Sequence, residues 1–205
     1  MLNTALEILK REINIYLNLK AGKEAEEDDI IVLSNVAGED GKWAIPNKTL
    51  GLSLINIEEE RVFREQKTAF LNGNGETEHY NPEIKLNIYV LIAARWVKPG
   101  ENTSESDYKE GLKQLSRVIS FLQAKYVFTQ DNSPLMASID PDIQKLVVEL
   151  YSFSFEQMYN FWSAIGAEYL PSVLYKVRLL KFQEKLIQDK QPVLGSLDIA
   201  TTNNQ

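Results

Sequence analysis

Residues 146–183 read LVVELYSFSFEQMYNFWSAIGAEYLPSVLYKVRLLKFQ, two strand-like runs around one short helix. The runs are Leu146–Phe153 and Leu170–Phe182. Ser154 and Gln157 stand at the Ser-x-x-Gln spacing of a capping box, which predicts a helix beginning there. Gly166 is placed to end it, because the left-handed residue that closes a helix costs glycine least. Tyr151, Phe153, Phe155, Tyr159, Phe161, Trp162 and Tyr169 load the segment with ring surface. Such rings are more often core than binding site. Still, the cluster exceeds what one short helix and its flanks usually bury, and aromatic residues are enriched at protein interfaces. Trp162 and Tyr169 are therefore candidate interface residues.

Upstream, Leu2, Leu6, Leu9, Ile13 and Leu17 recur at helical spacing and predict an amphipathic helix over 2–20. A charged connection, GKEAEEDD, leads to the short apolar run Ile30–Val36, suited to a buried strand. Gly38, Gly41 and Pro46 mark a loop through 38–48. Leu50, Leu52 and Leu54 then alternate on one face, and Ile55 and Ile57 continue in the opposite phase, which predicts a bulge. Asn72-Gly73-Asn74-Gly75 is a turn signal. Beyond it, Ile84, Leu86, Ile88, Val90, Ile92, Ala94 and Trp96 alternate as a strand antiparallel to the one before. Tyr108, Leu112, Leu115, Ile119, Leu122 and Tyr126 mark a long helix with one apolar face.

The order helix, three strands, helix, strand, helix, strand predicts an α+β fold, a mostly antiparallel sheet covered by helices. With 205 residues the chain is long enough for one substantial domain burying roughly 70% of its unfolded surface. That domain is placed at residues 1–186, with a flexible tail over 187–205 whose Pro192 and Gly195 disfavour regular structure. The tail nevertheless carries Val193, Leu194, Leu197 and Ile199, apolar residues fitted to order against a partner.

Composition narrows the function. A formal charge of −7 argues against tracking nucleic acid, which needs clustered Lys and Arg. The absence of cysteine removes disulfides, thiolate metal sites and cysteine nucleophiles. The amino terminus lacks the basic-then-apolar order of a signal peptide, and no run approaches the roughly 20 apolar residues of a membrane span. The expectation is a protein made and assembled in the cytoplasm, with no membrane insertion.

Candidate chemical sites are few. His79, the only histidine, follows GNGET and reads as a solvated loop residue, since a working base needs a positioned partner. Glu58-Glu59-Glu60-Arg61 is the densest carboxylate cluster; Glu58 and Glu60 share one strand face, Glu59 and Arg61 the other. Paired carboxylates support acid–base work or a divalent ion. A solvated strand end, edge protection or a charged protein contact explains them as well. Asn72–Gly75 lacks the Lys-Ser/Thr of a phosphate loop. Asp140-Pro141-Asp142 needs no calcium to explain it. No catalytic, cofactor-binding or metal-binding residue is assigned, and no cofactor is expected.

SFSFEQMYNFWSAIGAEYLPSVLYKVRLL at 152–180 resembles the cap, or tube-terminator, proteins of extracellular contractile injection systems of the Photorhabdus virulence cassette and antifeeding prophage type. LSNVAG at 33–38, LGLSLINIEEER at 50–61, LNIYVLIAA at 86–94 and LKQLSRVISFLQAKYVF at 112–128 resemble the same family in the same order. The resemblance implies a fold similar to phage tail terminators. It implies a hexameric ring on the distal end of the inner tube that stops tube growth and contacts the last sheath layer. The implied partners are further copies of the chain, the inner tube protein and the sheath protein, in a particle released from the cell. Sheet edges could then continue from one subunit to the next, and Glu58–Glu60 could supply charge complementarity. The alternatives are a tube–sheath or baseplate adaptor of the same particle, and, from a different class, a small carboxylate-dependent enzyme.

Overall fold

The structure, a computed structural model, describes residues 1–25, 27–38, 41–60, 69–71, 73, 76–79, 84–96, 104–140, 143–182 and 189–191. Its backbone gathers into two compact units, one from Met1–Glu59 and Leu86–Leu180, the other from Glu60–Lys85 and Lys181–Gln205. In chain order the elements are α1 (Leu2–Lys20), β1 (Ile31–Leu33), β2 (Thr49–Glu59), β3 (Ala69–Leu71), β4 (Thr77–His79), β5 (Ile84–Arg95), α2 (Glu105–Ala124), β6 (Val127–Thr129), α3 (Pro134–Ile139), β7 (Lys145–Tyr151), α4 (Phe155–Ile165), β8 (Ser172–Phe182) and β9 (Asp189–Gln191).

Six strands form one sheet in the order β1-β2-β5-β8-β7-β6. Pairs β2–β5, β7–β8 and β6–β7 are antiparallel, whereas β1 lies parallel to β2. The α+β class is as expected, with one parallel pair in a mixed sheet. The phase switch in β2 is also real: its register against β5 slips between Leu54 and Asn56. Ile55 is the extra residue, so Leu54 opposes Val90, and Ile57 opposes Ile88 on the same face.

Alternation along β5 sorts its residues onto two faces. Ile88, Val90, Ile92 and Ala94 point to a face where α1 and α2 pack. There Ile8, Ile13 and Leu17 of α1, Val118 and Leu122 of α2, and Leu50, Leu52, Leu146, Val148 and Val177 of the sheet are all buried. Each such side chain contributes about 1.5–3 kcal/mol on burial, so this layer supplies most of the apolar driving force. Leu91 and Ala93 point the other way, into a second core with Val36, Ile45, Trp162, Leu170 and Leu174. The sheet centre is therefore buried on both sides. Gly51 marks the tight fit of this second layer: a Cβ there would lie 2.5 Å from Cγ1 of Ile45, closer than real side chains approach.

Five short elements went unforeseen: β3, β4, β6, α3 and β9. Three-residue strands carry too little alternation to register as a pattern. The turn at Gly73 lies between β3 and β4, which pair antiparallel, so the Asn-Gly repeat joins these two strands and not β2 to β5. His79, expected in a loop, is the last residue of β4, opposite Ala69 on one side and Asp189 on the other. The second unit holds this three-stranded sheet, ordered β3-β4-β9. Its third strand, Asp189–Gln191, falls within the stretch assigned to a flexible tail. Pro141 and Asp142 lie outside the described residues.

Candidate assembly surface

The exposed side of the second core begins with α4. Its capping box is complete: Gln157 N–H donates to Ser154 Oγ at 3.2 Å, and Ser154 N–H donates to Gln157 Oε1 at 3.0 Å. At the other end Gly166 takes φ 71°, the left-handed cap predicted from sequence. These two ends fix where the helix starts and stops. Trp162 is buried, and Met158, Phe161 and Ile165 pack partly buried beside it. Phe155 and Tyr159, seven and three residues before Trp162, are nevertheless 88% and 74% exposed.

From this helix a chain of rings runs back across the sheet. Tyr169 meets Trp162 at 5.5 Å between centroids, Trp162 meets Phe161 at 5.8 Å, and Phe161 meets Phe153 at 5.5 Å. Phe153 then meets Tyr151 at 5.6 Å, and Tyr151 meets Tyr89 at 5.2 Å. Most of these contacts are edge-to-face, the arrangement favoured by the ring quadrupole. Tyr169 is 57% exposed, while Trp162 keeps only 6% of its surface for anything else. The peptide before Tyr169 is pinned by Trp43, whose Nε1–H donates to the Glu168 carbonyl at 2.9 Å.

The ring chain ends at the carboxylate cluster. Tyr89 O–H donates to Glu58 Oε2 at 2.7 Å, and Lys176 Nζ stands 3.6 Å from the same oxygen. Lys176 also lies over the Tyr89 ring, 5.4 Å from its centroid. Burial raises the Tyr89 pKa, and its bond to Glu58 raises it further. Burial pulls Lys176 down, but Tyr89 and Glu58 outweigh it and leave the ammonium above its ordinary value. Glu58 thus closes a small polar network. Glu59 opposes Leu86 in the β2–β5 register, and Glu60 N–H donates to the Lys85 carbonyl at 2.8 Å.

Among the sequence candidates, the structure links Glu58, Trp162 and Tyr169 through one run of side chains. Arg61, Val193, Leu194, Leu197 and Ile199 lie outside the described residues. The most exposed rings, Phe155 and Tyr159, were not singled out from sequence. Helical periodicity does not separate them from Trp162, because Phe155 lies seven residues and Tyr159 three residues before it, on neighbouring faces of the helix. An apolar hollow of about 300 Å³ beside α4 is lined by Leu91, Phe153, Met158, Trp162 and Leu174, with Ser152 and Ser172 among its few polar neighbours. No three His, Asp or Glu side chains gather for a metal among the described residues. No described helix is long and apolar enough to cross a membrane.

The fold defines a class of protein. It is similar to the sheath/tube terminator of an extracellular contractile injection system (PVC) in its extended state, with 14% identity and a TM-score of 0.53 over 94% of this chain. The chain spans 63% of that protein's length. A looser likeness, with 15% identity and a TM-score of 0.46, links 76% of this chain to 49% of the tube-terminating cap of the anti-feeding prophage. A search of curated proteins by sequence gives no match. The model of the Pvc16 N-terminal domain matches residues 4–196, and the chain belongs to that family. The resemblance to tube-terminator proteins drawn from the quoted phrases is borne out.

Proposed function

We propose that this chain is a structural cap that ends the inner tube of a contractile injection system and contacts the last sheath layer as a hexameric ring. Family membership across residues 4–196 carries the reading. The work is binding and geometry, with no bond made or broken. Cytoplasmic assembly precedes release of the finished particle.

A closed ring of identical copies needs two different patches on each subunit, which meet around the axis. The exposed rings Phe155, Tyr159 and Tyr169 form one patch of suitable chemistry, apolar in body and partly polar at the tip. Glu58–Glu60 form a second, whose charge fixes register and partner choice more than affinity. The tail residues Val193, Leu194, Leu197 and Ile199 reach an adjacent subunit or the sheath.

Electron microscopy of particles made without this chain tests the reading. Loss of a cap leaves tubes of uncontrolled length, with ordered baseplates at the other end. Normal tube length together with failed baseplate assembly would assign the chain to an adaptor instead. Cryo-microscopy of intact particles then asks whether six copies close the tube.

A further inference from the structure

We propose that the two outermost strands of the six-stranded sheet are each plugged by an asparagine side chain, Asn14 on β1 and Asn132 on β6, so that copies of this chain do not associate by adding a strand at β1 or β6. At the first edge, Leu50 N–H donates to the Ile30 carbonyl at 2.8 Å and Ser34 N–H to the Leu52 carbonyl at 3.2 Å. Even-numbered residues of β1 therefore face β2, and Ile31 turns its N–H and C=O outward. Asn14 of α1 meets both groups. Ile31 N–H donates to Asn14 Oδ1 at 2.9 Å, and Asn14 Nδ2 donates to the Ile31 carbonyl at 2.9 Å. The same Nδ2 lies 3.3 Å from Asp29 Oδ1. Asn14 is 5% exposed and Ile31 is wholly buried, so this plug is part of the core.

The opposite edge repeats the device with a different element. Val148 N–H donates to the Tyr126 carbonyl at 2.8 Å, which leaves Val127 and Thr129 facing away from β7. Asn132, in the turn before α3, takes one group from each: Thr129 N–H donates to its Oδ1 at 2.9 Å, and its Nδ2 donates to the Val127 carbonyl at 2.9 Å. Ser133 Oγ donates to the same Oδ1 at 3.2 Å, and Lys125 Nζ ties the turn down through the Asn132 carbonyl at 2.8 Å. In each plug only one orientation of the amide satisfies a donor and an acceptor together.

A carboxamide offers one acceptor and one donor side by side, as a strand's peptide groups do. It occupies the edge groups it meets yet presents no further strand at them. Open edges are the usual route to uncontrolled association, and both edge strands here are also only three residues long. Sheet continuation at β1 and at β6 is thereby disfavoured, which favours side chains such as those on α4 for the copy-to-copy contact. The inference concerns the isolated chain and stands whether or not the chain caps a tube.

Asn132→Ala in the full chain tests it, by sedimentation velocity across a wide range of concentration together with amide exchange. Asn132 is exposed, so the variant should keep the wild-type circular dichroism spectrum. Freeing two backbone groups should tighten self-association about tenfold. The Thr129 amide should exchange fast when dilute and become protected on concentration. Asn132→Asp keeps the acceptor for Thr129 but loses the donor to Val127, and should fall between the two. The proposal is overturned if folded Asn132→Ala sediments like wild type at every concentration. It is overturned equally if the wild-type Val127 amide slows its exchange on self-association, because that is strand addition at the closed edge. Neither readout depends on tube capping.

Discussion

The two faces of the six-stranded sheet are covered by opposite means. On one, α1 and α2, each about five turns long, lie over aliphatic side chains and seal them. On the other, α4 has eleven residues, and its inward rings pack at their edges against one another while its outward rings stay in water. The α1/α2 layer still leaves Tyr108, Leu112 and Ile119 of α2 exposed at 51%, 37% and 37%, each less than Phe155 or Tyr159 on α4. A short aromatic layer holds the sheet and still presents surface, which is why assembly contacts are expected there.

The largest test of that contrast replaces one ring in each layer. Phe128 on the α1/α2 side is fully buried, and Trp162 on the α4 side nearly so. Phe128→Ala and Trp162→Ala should each cost about 3–5 kcal/mol in denaturant unfolding. Trp162→Ala should fall at the lower end, because the hollow beside α4 lets its cavity reach water. A loss below about 1 kcal/mol at Trp162 would show that the second layer is not a core.

Alkaline unfolding separates the faces through their tyrosines. Tyr175 opposes Leu150 and points to the α1/α2 side, where burial lifts it from 10.0 to about 12. Tyr89 on the other side is raised, first by burial and then by Glu58, and Lys176 beside it is raised as well. In all three the folded state holds its proton more tightly than the unfolded chain. Their contribution is complete below the ordinary values and is lost as pH rises through the folded ones. Thermal stability should therefore fall from about pH 10 upward, with the Tyr175 share lasting toward about pH 12. Tyr89→Phe should remove the earlier part of the fall and Tyr175→Phe the later. Superimposable profiles for wild type and Tyr89→Phe would discard the Glu58–Tyr89–Lys176 network as a contributor.

The smallest effect on folding should come from the outermost rings. Phe155→Ser with Tyr159→Ser should change unfolding free energy by no more than about 0.5 kcal/mol per site, since neither is buried. Yet the pair should reduce incorporation of the chain into particles, scored by quantitative blotting of purified assemblies. Full incorporation would move the contact surface off α4.

Legibility followed element length. α1, α2, α4, β2 and β5 were readable because ten or more residues repeat one period, and the bulge in β2 showed as a change of phase. Capping residues fixed both ends of α4 to the residue. The charge cluster was visible as well, but its meaning was not. Glu58 acquires its partners Tyr89 and Lys176 from strands far along the chain, and local spacing carries no trace of that pairing. Trp162 and Phe155, seven residues apart on nearly one side of the helix, were indistinguishable until the tertiary packing buried one and left the other in water.

By itself the sequence determined the α+β class, the long elements, the caps of α4 and the family, because periodicity, capping chemistry and the quoted phrases are written along the chain. The tertiary structure alone decided that β5 is buried on both faces, that Glu58 faces Lys176, and that Asn14 and Asn132 bind the outward peptide groups of β1 and β6. Asn14 meets a strand seventeen residues away, and Asn132 turns back on one just before it. An asparagine in a helix or a turn looks like any other polar residue until a strand edge comes to lie within hydrogen-bonding reach.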